Sequence, residues 1–344
     1  MLLYGRNGLA LWCANDKDAN VKPFRRSKES TMASLDQVSI AILLGAVLVM
    51  AGILSSLLAL RFGAPLLLVF LFIGMFAGDS GPGRIRFDDV RTTYLVGSVA
   101  LALILFDGGL KTRFQSIRTV LAPSVVLATI GVLLTALVTA PVAKYALDLN
   151  WAEALLMGAV VASTDAAAVF LLVHAQGLRL RPRVGATLEA ESGTNDPFAV
   201  FLTLMLVELI SIGESSVWHV ALEFAREAVL GAIIGVFGGR LVVLALNRVA
   251  LPQGLHAPFV TTAALVIFGG AQIVHASGFL AVYLAGIIVG NRPTRAHNSV
   301  VAFLDAATWL AQIVMFVLLG LLVSPQRLVS SLTPAVVVAF VLML

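Results

Sequence analysis

GATLEAESGTNDPFAVFLTLMLVELI, residues 185–210, sets a polar run directly against thirteen nearly apolar residues, Phe198 to Ile210. The polar run carries Glu189, Glu191, Ser192, Thr194, Asn195 and Asp196. In a soluble domain Ser-Gly and Asn-Asp-Pro are turn chemistry and the apolar run is a buried element. In a membrane the lengths argue differently. Thirteen residues make about 20 Å of helix, and the hydrocarbon core of a bilayer is about 30 Å thick. A crossing helix must then include the polar half. A start near Ala186 or Thr187 sets Asn195 and Asp196 about 14 Å deep, close to the midplane.

The rest of the chain decides for the membrane. Of 344 residues 59% are hydrophobic and 12% charged, with a mean hydropathy of +0.98. Soluble domains have about 45–50% apolar and about 25% charged residues. The net charge is +4 and the basic residues sit in short clusters between apolar runs, so no Lys/Arg stripe suggests a nucleic-acid partner. The single cysteine, Cys13, permits neither an intrachain disulfide nor a Cys-based metal site. No Gly-x-Ser-x-Gly or His-Glu-x-x-His signature supports an enzyme, and no cofactor is implied.

Apolar runs long enough to cross lie near 37–60, 64–78, 92–109, 120–146, 152–174, 186–210, 220–247, 256–275, 277–290 and 301–323. An eleventh begins near 332 and reaches Leu344 after about 20 Å of helix, too short to cross. The expectation is an all-α polytopic membrane protein with about ten complete spans and a truncated eleventh. Residues 32–344 form the transmembrane domain, and 1–31 read as a polar tail, disordered or not translated, ahead of Met32. Lys and Arg orient the chain. One set of loops holds Arg61, Lys111, Arg113, Arg118, Arg179, Arg181, Arg183, Arg248, Arg292 and Arg295 and is assigned to the inside. The other holds Arg84, Arg86, Arg91, Lys144 and Arg327, a bias of about two to one.

The span before the quoted stretch has the same oddity. In GAVVASTDAAAVFLLVHA, Ser163, Thr164 and Asp165 interrupt an apolar run nine residues before His174. Counted from the shared inside loop, Asp165 and Asp196 reach about 14 Å and about 16 Å into the membrane. An ionisable residue at the bilayer centre costs about 2.5–3.5 kcal/mol, and such residues mark ion and proton paths. Pro197 has no N–H, so it frees the carbonyl of Gly193 and is expected to loosen its helix there. On helical spacing Glu191 and Asn195 share one face, and Ser192 and Asp196 the next.

Oxygen ligands suit hard cations. A desolvated carboxylate resists carrying a bare charge, so Asp196 takes either a proton or a cation. Asn195 cannot titrate, so the pair predicts one-for-one, electroneutral exchange. Elsewhere, Asp107 in ILFDGGLKTR reads as a turn or cap at a span end. Arg226 with Glu223 and Glu227 reads as a charged face, and the five histidines show no ligand spacing.

These residues resemble the cation/proton antiporter superfamily in its electroneutral Asn-Asp branch. STDAAAVF (163–170), LEAESGTNDPFAVFLT (188–203), SGFLAVYLAGIIVGNRP (277–293) and WLAQIVMFVLLGLLV (309–323) look most like bacterial potassium/proton antiporters of the NhaP type. The resemblance implies a multi-pass protein of the bacterial inner membrane. It also implies a homodimer built of inverted repeats with a broken helix, exchanging K⁺, or Na⁺, for H⁺.

Carried over residue by residue, it makes Asp196 the ion- and proton-binding carboxylate, with Asn195 its partner and Ser192 a helper. Thr164 contributes near an unwound helix, Asp165 steadies loose backbone N–H groups there, and Glu191 supports the site through an ion pair. No metal beyond the transported cation is implied. In the family the arginine partner of Glu191 lies in the eleventh span, past Leu344, so the expectation is a domain incomplete at its C-terminus. The competing readings are a sodium-selective exchanger, a cation channel and an inactive truncated fragment. An intramembrane aspartyl protease would need a Gly-x-Gly-Asp motif that the chain lacks.

Overall fold

The computed structural model describes residues 39–56, 66–85, 87, 89–112, 121–164, 173, 180–212, 217–252, 254–330 and 332–342. Residues 1–50 and 51–344 form two contact units. In the first, residues 39–50 are described; they belong to helix α1 (Ser39–Ser56) and expose Ile40, Ile42, Leu43 and Met50. The expected tail 1–31, with Cys13, lies outside the described residues.

In the second unit, twelve α-helices follow among the described residues. They are α2 (Leu66–Ala77), α3 (Val90–Lys111), α4 (Leu121–Val126), α5 (Val132–Leu147), α6 (Trp151–Val161) and α7 (Pro182–Ile212). Then come α8 (Val217–Arg248), α9 (His256–Ile273), α10 (Gly278–Gly290), α11 (His297–Leu322), α12 (Pro325–Ser330) and α13 (Leu332–Leu342). A π-helical turn, Leu127–Gly131, joins α4 to α5 and packs on α7. The one β-bridge among the described residues pairs Gly78 with Ile85.

Local chemistry sets the helix starts. Asp89 caps α3 by accepting from the backbone N–H groups of Arg91 (3.0 Å) and Thr92 (3.1 Å). The Thr92 hydroxyl, at 2.6 Å, together with these N–H groups, holds the exposed Asp89 carboxyl below the usual carboxylate range. Asn150 and Glu153 form a reciprocal capping box at the start of α6.

Seven helices among the described residues are long and apolar enough to cross a bilayer. The expected runs at 92–109, 186–210 and 220–247 appear as α3, α7 and α8, each longer by a few residues at both ends. The expected runs at 64–78, 152–174 and 277–290 carry shorter apolar helices, α2, α6 and α10, of 12, 11 and 13 residues. The run expected to be one span over 152–174 stops as a helix at Val161; Ala162 turns, and Ser163 and Thr164 are non-helical.

The expectation at Pro197 is corrected. Helix α7 runs through Pro197 without a break. Ala199, Leu202 and Leu206 of α7 pack on Val132 and Ala136 of α5 and Ala159 of α6, and this buried contact holds the turn around the proline. The loosened backbone lies on the neighbouring element, at the end of α6.

Among the described residues the buried apolar side chains sort into a small packed group of Ala140, Ala143 and Ala154 and two larger ones. One unites α3, α8, α9, α10 and α11 around Phe106, Leu246, Val260, Val282 and Leu304. The other unites α5, α6 and α7. In the first, α10 meets α3 and α8 backbone to backbone. A Cβ on Gly286 or Gly290 would strike the carbonyls of Phe106 or Leu110, and one on Gly231 would lie 2.6 Å from the carbonyl of Ser277. The opposite side of α8 exposes Leu222, Val229, Ile233, Phe237, Leu241 and Leu244, an apolar face suited to lipid.

Candidate ion-binding site

The two polar runs singled out in the sequence meet in space. Asp196 stands at the middle of α7, fourteen residues from Pro182, or about 21 Å along the axis. Its Oδ1 accepts a 2.5 Å hydrogen bond from the hydroxyl of Ser163 in the non-helical stretch after α6. One residue on, the carbonyl of Thr164 accepts from the Ser192 hydroxyl at 2.9 Å. An irregular stretch of backbone at this depth needs partners, and α7 supplies one of them from its polar turn.

Thr164 also ties the second face of α7 together. Its hydroxyl lies 3.1 and 3.2 Å from the two carboxylate oxygens of Glu191. The Asn195 amide donates to Thr164 Oγ1 at 2.6 Å and to Glu191 Oε1 at 2.9 Å. The i,i+4 relation of Glu191 and Asn195 inferred from spacing is therefore a bonded one. It also fixes which way the amide points. Turning Asn195 over would set its oxygen against the Glu191 carboxylate, so the nitrogen faces Glu191. Asn195 is fully buried, and among the described residues its Oδ1 has no donor. A buried acceptor left without a donor carries a desolvation cost of about 1–3 kcal/mol, which a bound cation or a protonated neighbour would relieve.

The exposure differs across the site. Ser163 and Thr164 are exposed, Glu191 and Asp196 are half-buried, and Ser192, Asn195 and Pro197 are buried. A hydrated ion can thus approach from the α6 side and meet fixed oxygens on α7. Asp165, expected beside Thr164, lies outside the described residues. Ser163 was noted in the sequence only as part of a polar interruption; its adjacency to Thr164 is the signal that could have promoted it.

A second polar cluster was not foreseen. Asp107 is neither turn nor cap. It lies inside α3 with its side chain 3% exposed, and it accepts from Lys111 one turn on at 2.7 Å. Lys111 also pairs with Asp305 of α11 at 2.5 Å. The i,i+4 Asp107–Lys111 spacing was legible; the partner 194 residues beyond Lys111 was not.

Comparison with known proteins supplies the lineage. Residues 44–344 match the family described as "Sodium/hydrogen exchanger, transmembrane". The chain belongs to that family. It is a transporter family, not a family of enzymes, and the exchanger motifs quoted above fall within the match. The chain is 44% identical over 307 residues to a "K(+)/H(+) antiporter NhaP2" of Shewanella sp. (strain ANA-3), covering 89% of this chain and 53% of that protein. To a "K(+)/H(+) antiporter NhaP" of Alkalimonas amylolytica it is 41% identical, covering 90% and 54%.

The chain thus spans about half the length of these relatives. The solved structure of a sodium proton antiporter, MjNhaP1, from Methanocaldococcus jannaschii at pH 8 superposes with a TM-score of 0.78. It is 24% identical, covering 88% of this chain and 75% of that one, and it shows that the two share a fold. The chain is accordingly a helical, multi-pass membrane protein.

Proposed function

We propose that this chain forms the ion-exchanging part of an electroneutral antiporter of the bacterial inner membrane, trading a monovalent cation for H⁺. The observation that carries the reading is a half-buried Asp196 carboxylate one residue along α7 from a buried Asn195 whose Oδ1 has no donor among the described residues. A half-buried carboxylate beside an idle carbonyl oxygen offers a cation two hard ligands of the kind it prefers. With the cation absent, a proton on Asp196 neutralises the same site, so the two compete for one carboxylate.

Asn195 contributes an oxygen and no charge, so each passage carries one positive charge in either direction. Ser163 steadies the ionised Asp196, and Ser192 holds the Thr164 carbonyl. Glu191 and Thr164 orient the Asn195 amide. The reading extends to Asp165 as the group that steadies backbone N–H groups past Thr164, and to a homodimeric assembly. K⁺ is favoured over Na⁺ because two relatives at 41–44% identity are named as K⁺/H⁺ antiporters.

The test is the full chain in vesicles carrying a proton gradient, with K⁺, Na⁺ or Li⁺ added and Asp196→Asn in parallel. The expected result is that K⁺ collapses the gradient in the parent and not in the variant. Collapse by Na⁺ alone would make it a sodium exchanger. Cation flux without proton counterflow would make it a channel, and silence with every ion would overturn the reading for this chain.

A further inference from the structure

Helix α8 and the end of α10 enclose a cleft of about 380 Å³ whose polar lining is Arg240, Asn247, Arg248 and Arg292. Val243, Leu244 and Ile288 complete it with apolar surface. Residues 240, 243, 244, 247 and 248 follow the i, i+3, i+4, i+7 pattern, so one face of α8 supplies most of the wall.

Arg240 is out of place for a solvated charge. It lies eight residues before Arg248 at the helix end, about 12 Å back along the axis. The exposed side chains around it on α8 are Phe237, Leu241 and Leu244, an apolar face. Arg240, Arg248 and Arg292 are themselves exposed. Among the described residues no carboxylate lies within ion-pair distance of any of the three, and the charge of Arg240, set back among apolar side chains, calls for an anion.

The third arginine is held in place from both sides. Asn247 donates to the carbonyl of Pro293 at 3.0 Å, and Asn291 donates to the carbonyl of Thr112 at 2.7 Å. Arg292 stands between these two anchors, so its backbone is fixed before any ligand arrives, which lowers the entropy lost on binding.

We propose that this cleft binds the phosphate headgroup of an anionic phospholipid. Guanidinium groups match phosphate oxygens through paired N–H donors, and basic pockets between transmembrane helices on the cytoplasmic side hold anionic headgroups. Arg240 and Arg292 grip the phosphate while Arg248 reaches it from the helix end. Val243, Leu244 and Ile288 take the first carbons of an acyl chain along α8. The Lys/Arg bias puts this cleft in the inner leaflet, where anionic lipids are found.

Native mass spectrometry of the full chain tests this, after exchange into detergent with dioleoyl phosphatidylglycerol, dioleoyl phosphatidylcholine or inorganic phosphate. The expected result is retention of phosphatidylglycerol in preference to phosphatidylcholine by at least about tenfold, a gap of about 1.4 kcal/mol. Arg240→Gln with Arg292→Gln is expected to abolish the preference. Equal retention by parent and variant overturns the proposal, and so does displacement of the lipid by millimolar inorganic phosphate, which would mark a site for soluble phosphate.

If the double variant does not fold, the parent alone decides. A phosphatidylglycerol carrying a photoreactive headgroup is expected to crosslink within 240–248 or 288–292, and labelling confined to other segments overturns the assignment.

Discussion

Ser163 Oγ donates to Asp196 Oδ1 across 2.5 Å, so the stretch where α6 stops being a helix is bonded to the carboxylate at the centre of α7. Ser163→Ala removes that donor from the Asp196 carboxylate. Hydrogen bonds to charged groups contribute about 1.5–3 kcal/mol, and Ser163 is exposed, so solvent screening takes the effect to the low end. The expected outcome is exchange slowed by about tenfold, the equivalent of about 1.4 kcal/mol. The rate of proton-gradient collapse in vesicles measures it, and an unchanged rate would remove Ser163 from the site.

Thr164 gives a sharper contrast because its hydroxyl accepts from Asn195 and lies within bonding distance of Glu191. Thr164→Ser keeps the hydroxyl and is expected to keep exchange within about threefold. Thr164→Val keeps the shape and loses the hydroxyl. With Asn195 then held by Glu191 alone, the rate is expected to fall about tenfold, the worth of one net hydrogen bond. Cation-driven uptake by the two variants reports this; equal rates would count against any role for the hydroxyl.

The Asp107–Lys111–Asp305 cluster joins α3 to α11. Lys111→Met strands Asp107, 2% exposed, without its cation. Breaking such a pair from one side costs about 3–5 kcal/mol, whereas replacing both partners by apolar groups is close to neutral. Thermal unfolding in detergent is therefore expected to show a large loss for Lys111→Met and recovery of most of it in Asp107→Leu with Lys111→Met. Additive losses in the double variant would show that the two residues act independently.

Gly286→Ala places a methyl carbon against the carbonyl of Phe106, and Gly97→Ala places one where no atom lies within 4 Å. Overpacking costs about 1–3 kcal/mol, while glycine to alanine in an open helical position is stabilising by roughly 0.5–1 kcal/mol. The melting temperature is expected to fall for the first and to hold or rise for the second. A neutral Gly286→Ala would mean that α3 and α10 separate without penalty.

Hydropathy located α3 and α8 because each offers an apolar run that reaches across the hydrocarbon, and length located α7, whose thirteen apolar residues cross only together with the polar half. It failed at α6 because it weighs composition and is blind to where backbone hydrogen bonds stop. Ala-rich sequence on both sides of Ser163 and Thr164 reads as good helix former, yet these two side chains bond across to α7 and not along their own helix. Pro197 misled in the opposite direction. Its local effect is real, but the surrounding turns are held by Ala199 and Leu202 in the packed contact with α5 and α6. The polar face at Glu191–Asn195 was legible because i,i+4 spacing is local, while Asp107, at the same spacing from Lys111, read as a turn or cap. The link to Asp305 was not legible, since it depends on which helices become neighbours. The Arg240 cleft was missed for the same reason: two of its arginines are 52 residues apart in sequence.

Beside the packed side chains of the core, main chain rests on main chain where α10 meets α3 and α8, at Gly286, Gly290 and Gly231, Gly235 and Gly239 of α8. Side chains can change rotamer to let helices slide, but carbonyl oxygens against α-carbons have no such freedom. These three helices therefore behave as a girder, against which displacement elsewhere in the chain is referenced. A headgroup seated in the arginine cleft would bear on that girder at one end.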